Sequence, residues 1–112
     1  MTRHAYIFYK MEETSDVSFV KDIKFNLKEK YYVYVLVSYK DKSWYIGFTA
    51  DLRKRLIAHA RGEVISTKFK KPWKMVHYEY FVNQVDAKAR ERFLKSGYGR
   101  QQLKAMMKNT FL

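Results

Sequence analysis

The stretch Tyr31-Tyr32-Val33-Tyr34-Val35-Leu36-Val37, followed after a polar break by Trp44-Tyr45-Ile46-Gly47-Phe48, decides the fold of this chain. Both runs are aromatic and β-branched almost throughout and too short for buried helices, so each reads as a strand. The intervening Tyr39-Lys40-Asp41-Lys42-Ser43 supplies a polar turn, which makes the pair an antiparallel hairpin. Side chains alternate across a strand. Tyr32, Tyr34, Tyr45 and Gly47 therefore share one face, and Val33, Val35, Val37, Trp44, Ile46 and Phe48 the other.

Working outward, Thr49 or Asp51 can cap a helix in which Leu52 and Leu56 form an apolar stripe, with Gly62 as its stop. Arg55 and His59 fall four residues apart on the adjoining stripe and point towards the sheet, whereas Arg53, Lys54 and Arg61 point outward. Residues 63–74 have no clean period, hold four lysines and the only proline, and read as a basic loop. Met75 to Val82 is expected to be a third strand. Helical patterning then runs from Gln84 to about Ser96. After a break at Gly97-Tyr98-Gly99, a last helix is expected from Arg100 to about Lys108. The class is α+β, a small three-stranded antiparallel sheet flanked by helices in the order β-β-α-β-α-α.

Upstream, Tyr6 to Tyr9 and the alternating Ile23, Phe25 and Leu27 can each form a strand, so residues 1–30 read as an extension that adds strands or stays apart from the main domain, 31–112. A chain of 112 residues with 47% hydrophobic residues suits one core and not two. Without cysteine there is neither a disulfide framework nor a thiolate metal site, and His4, His59 and His77 do not have zinc-ligand spacing. No run approaches the length needed to span a bilayer. The expectation is a soluble cytoplasmic protein. The net charge of +12 is uneven: residues 1–30 contribute +1 and residues 31–112 contribute +11. Such a surplus favours a polyanionic partner.

In its hairpin, its helix and its later carboxylate the chain resembles the GIY-YIG nuclease superfamily, in its small single-domain bacterial form, and the N-terminal nuclease half of the family's DNA-repair excinuclease. The resemblance rests on Tyr32-Val33-Tyr34, ten residues, Tyr45-Ile46-Gly47, then Asp51-Leu52, Arg55 and His59. Further on it rests on Ala87-Lys88-Ala89-Arg90-Glu91 and Leu94-Lys95-Ser96-Gly97-Tyr98-Gly99-Arg100. It implies a metal-dependent endonuclease that hydrolyses DNA phosphodiester bonds, in DNA repair or processing, with Tyr34, Tyr45, Arg55, His59 and Glu91 converging on one face of the sheet. Glu91 would hold one Mg²⁺ or Mn²⁺ ion, a hard cation suited to oxygen ligands. Arg55 would stabilise phosphoryl charge. Tyr45 would act as or orient the base, Tyr34 would support it, and His59 would relay a proton or hydrogen-bond Tyr45.

Read without the resemblance, Glu91 is a helical residue paired with Lys95, Arg55 a surface charge, and both tyrosines strand packing. Three departures bear on the transfer. Tyr32 stands in place of a glycine, Phe48 occupies the position of a lysine in the excinuclease, and the asparagine that follows the metal carboxylate has no counterpart but Asn109. The first is expected to be harmless, whereas the missing lysine at Phe48 favours an alternative, a DNA- or RNA-binding module that keeps the nuclease fold without cutting, or that needs a partner to cut. DNA docking falls to Arg53, Lys54, Lys68, Lys70, Lys71 and Lys74, and Phe69 and Trp73 can stack on an unpaired base or pack against the domain.

Overall fold

A computed structural model describes residues 29–110. The aromatic and β-branched runs form β1 (Tyr31–Ser38) and β2 (Trp44–Thr49), paired antiparallel with Tyr34 opposite Gly47 and Leu36 opposite Tyr45. Helix α1 (Leu52–Ala60) follows. Asp51 caps it by accepting from the Lys54 N–H at 3.0 Å, and Gly62 leaves it at φ +75°, a left-handed conformation that favours glycine. Then come β3 (Trp73–Phe81), α2 (Gln84–Lys95) and α3 (Gly97–Met106). The sheet order is β2-β1-β3, so β1 is paired on both sides. The expected α+β order holds. The strands expected in Tyr6 to Tyr9 and around Ile23 to Leu27 lie outside the described residues.

Alternation along β1 sorts the two faces. Val33 and Val35, with Ile46, pack against Ala87, Leu94, Leu103 and Met107, so α2 and α3 cover the aliphatic face. Leu94 and Leu103 are fully buried there, and truncation of either to Ala costs about 2–5 kcal/mol. Tyr34 and Leu36 point the other way, towards α1 and the basic loop.

Two elements depart from expectation. Gly97-Tyr98-Gly99 is the first turn of α3 and not a break. Ser96 ends α2 and caps α3, its Oγ accepting from the Gly99 N–H at 3.1 Å. A Cβ on Gly99 would run into the Phe93 carbonyl oxygen and Leu94 Cα, so the glycine permits close helix contact and does not signal a loop. The third strand begins at Trp73 and not Met75, inside the expected loop, because the pairing extends through Val37 with Lys74 to Ser38 with Trp73. The register shifts between Val35, which faces His77, and Leu36, which faces Met75. Val76 is the extra residue. This bulge reverses the alternation of β3, so Trp73 and Met75 face Tyr34 and Tyr45 where unbroken alternation would turn them to the helices.

Candidate active site

Four of the residues singled out in the sequence meet on the tyrosine face. Tyr34 and Tyr45 come from neighbouring strands, with ring centroids 6.2 Å apart. Arg55 and His59 come from α1, whose i,i+4 spacing aims both at the sheet. His59 stands edge-on to Tyr34 at 5.7 Å and to Tyr45 at 5.1 Å. The expected hydrogen bond between His59 and Tyr45 is not the one formed. His59 Nε2 instead pairs with the Tyr34 hydroxyl at 2.8 Å, because the phenol of the central strand lies deeper beneath α1.

The direction of this bond follows from its neighbour. Thr67, also buried, donates its hydroxyl to the Val64 carbonyl at 3.3 Å, so it accepts from His59 Nδ1–H at 2.8 Å. Nε2 is left as the acceptor for Tyr34 O–H. Donation therefore runs from Tyr34 to His59, from His59 to Thr67, and from Thr67 to the Val64 carbonyl, which ends the chain as acceptor. Burial, and then the positive charge of Arg55, push the His59 pKa down to about 4, which keeps the ring neutral as this network requires. Burial pushes the Tyr34 phenol up to about 12 despite the opposing pull of Arg55. Tyr34 thus keeps its proton. Tyr45, on the edge strand, is only half-buried and is the phenol that solvent can reach.

Arg55 completes the cluster. Hydrogen bonding to Tyr34, with the Tyr45 phenol adding to it, favours its ionised form, and its buried Nε–H has no acceptor among the described residues. Thr67 and Trp73 escaped sequence reasoning as members of this site. Trp73 packs edge-on to Tyr45 at 6.2 Å and donates Nε1–H to the Thr67 carbonyl at 2.9 Å, so it serves packing and is not free to stack on a base. No pattern around Thr67 marks it, but an indole two residues before Met75 was a signal that the strand starts early.

Glu91 does not join the polar contacts of this cluster. It stands on α2 between Ala87 and Leu94, on the side that packs against the aliphatic face, and only 14% of its side chain is exposed. Its polar partners among the described residues are Lys95 at 3.1 Å and Lys88 at 3.9 Å, the pairing anticipated for an ordinary helical glutamate. Lys88 in turn lies over the Phe48 ring at 4.1 Å. Phe48, in the place of a lysine, thus gives that corner of β2 an aromatic seat for a cation. No group of three His, Asp or Glu able to hold a metal occurs among the described residues. The proposed DNA contacts Arg53, Lys54, Lys70, Lys71 and Lys74 are exposed, and Lys68 is half-exposed against Phe69. No helix among the described residues is long and apolar enough to cross a membrane.

The family model for the GIY-YIG catalytic domain matches residues 30–104, which takes in the sheet and nearly all of the three helices. A UPF0213 protein of Clostridium perfringens is 42% identical over 65 residues, spanning 57% of this chain and 69% of that protein. A UPF0213 protein of Staphylococcus saprophyticus is 35% identical over 77 residues, spanning 68% of this chain and 93% of that one. Among solved structures, the solution NMR structure of a UPF0213 protein from Bacillus halodurans matches with 32% identity and a TM-score of 0.46, covering 69% of this chain and 84% of that chain.

Proposed function

The chain belongs to the GIY-YIG catalytic-domain family, a nuclease-type family, and we propose that it is a divalent-metal-dependent endonuclease that hydrolyses DNA phosphodiester bonds by water attack, in DNA repair or processing. The observation that carries this reading is Arg55. A permanently charged, fork-shaped group held against two phenols, with one N–H unfilled, suits a phosphate oxygen whose charge grows as the bond breaks. The basic surface around it draws the polyanion in.

The residues divide the work. Tyr45, within reach of solvent, orients the attacking water and, with its own proton first released to solvent, takes the water's proton on its phenolate oxygen. Tyr34 keeps its own proton and buttresses Tyr45, while His59, neutral and already accepting from Tyr34, fixes the Tyr34 ring and does not serve as the general base. Glu91 would hold one Mg²⁺ or Mn²⁺ ion. The fit is to an ion ligated mainly by water and substrate, because Glu91 offers one hard carboxylate whose lysine partners are partly exposed and free to swing away. Such an ion, when bound, neutralises phosphoryl charge and lowers the pKa of water.

The lysine pairing of Glu91 also favours the second reading, a DNA-binding module that no longer cuts. Wild type, Glu91→Gln and Arg55→Ala on nicked, branched and plasmid DNA, with Mn²⁺ or with chelator, separate the two. The enzyme reading expects metal-dependent cleavage that disappears in both variants while Glu91→Gln still binds DNA. Binding without cleavage under any metal would sink it.

A further inference from the structure

Two loops meet beyond the catalytic cluster, the turn 39–43 and the segment 63–72. Ser38 Oγ–H donates to the Lys70 carbonyl at 2.5 Å, Tyr39 N–H to the Pro72 carbonyl at 2.9 Å, and Lys40 Nζ to the Phe69 carbonyl at 3.2 Å. Locked together in this way, the loops turn two aromatic rings outward. Tyr39 is 55% exposed and Phe69 74%. Each ring has an ammonium from its own loop over it, Lys42 Nζ at 5.6 Å from the Tyr39 centroid and Lys68 Nζ at 4.8 Å from the Phe69 centroid. Residues 39–43 and 68–74 together hold six lysines and one acid, Asp41.

A single exposed aromatic is ordinary on a protein surface. Two on hydrogen-bonded loops, each with an ammonium over one face, leave the opposite π-face for a base and set a charge close by for the adjacent phosphate. A duplex hides its base faces in the stack and offers nothing to such rings, whereas an unpaired strand presents both parts. We propose that Tyr39 and Phe69 form a stacking platform for unpaired bases of single-stranded DNA, with the flanking lysines holding its phosphates. The platform deepens the nuclease reading and rests on it in one respect, that the strand it holds is the one to be cut. The segment that carries Phe69 ends at Trp73, whose ring lies against Tyr45, so one piece of chain joins the platform to the cluster.

The test is fluorescence anisotropy of the full chain in chelator, with labelled strands of about 20 nucleotides, a length that covers several bases per binding site. The probes are oligothymidine, an abasic strand of equal length, oligouridine and a matched duplex. Loss of one stacked base weakens binding about fivefold or more, so Tyr39→Ala and Phe69→Ala are each expected to weaken oligothymidine binding by that factor. Phe69→Trp should preserve it, and the abasic strand and duplex should change by less than about twofold in every variant. The same melting temperature as wild type shows that the variants fold.

Equal weakening on oligothymidine and on the abasic strand or duplex overturns the proposal, as does no weakening at all. Oligouridine bound in preference, with oligothymidine insensitive to the substitutions, overturns the assignment to DNA. The binding is read on intact strands without metal, so failure of cleavage leaves this result standing. Failure of the platform equally leaves the Glu91→Gln comparison standing.

Discussion

Tyr34 lies across Gly47: the two are paired between β1 and β2, and a Cβ placed on Gly47 would fall into the phenol ring, against Cζ and the hydroxyl oxygen. The glycine of the second triplet is therefore the floor under the tyrosine of the first. The ring has nowhere to retreat, because its hydroxyl is tied to His59 and none of its surface is exposed. Gly47→Ala is expected to destabilise the fold by about 1–3 kcal/mol, the usual cost of overpacking a filled site. Adding Tyr34→Leu should recover part of that loss in urea unfolding. Purely additive effects would show that the two positions do not share the space.

The two phenols should separate by assay. Tyr34→Phe leaves His59 Nε2 buried without its donor, at a cost of about 1–2 kcal/mol in unfolding free energy. Tyr45→Phe should cost less than about 0.5 kcal/mol, as for a partly exposed side chain, yet slow single-turnover cleavage about 100-fold if its hydroxyl handles the proton of water. The reverse pattern would exchange their roles.

Acid should loosen the site through His59. The unfolded imidazole takes up its proton near the ordinary value of 6.5 and the folded one only near about 4, so between these the unfolded chain binds more protons. Stability therefore rises with pH through this window and falls on acidification from 6.5 towards 4, by up to about 3 kcal/mol from this residue. His59→Gln, measured in urea at a series of pH values, should flatten that slope. An unchanged slope would assign the acid sensitivity elsewhere. Glu79, where burial opposes but bonds to His77 and Arg90 hold the carboxyl pKa down, is the other group to follow.

The lysines beside Glu91 compete with a metal for its carboxylate. Such partly exposed pairs are worth about 0.2–1 kcal/mol, so Lys95→Met should lower the Mn²⁺ concentration for half-maximal cleavage by about two- to threefold. A rise in that concentration would mean that Lys95 supports the site and does not obstruct it.

The hairpin was legible because period-two alternation and β-branched composition act locally, and α1 because Asp51 and the four-residue spacing of Arg55 and His59 are local too. What lay beyond reading was set by contacts distant along the chain. The partner of His59 is Tyr34, 25 positions earlier, and the choice between Tyr34 and Tyr45 depends on the depth of the central strand beneath α1. The β3 bulge is created by pairing to β1 and leaves no mark in Met75-Val76-His77. Gly99 misled because glycine serves both turns and close helix contacts, and only the neighbouring Phe93 carbonyl tells the two apart, while Gly97 has open space around it and makes no such contact.

The bulge at Val76 also equips the molecule with its own optical probe. Of the two indoles, Trp44 packs with the aliphatic core on one side of the sheet, while Trp73 is turned to the other side against Tyr45. In Trp44→Phe the remaining emission would report only the surroundings of Tyr45. Oligonucleotide arrival could then be followed in a stopped-flow fluorimeter without a dye.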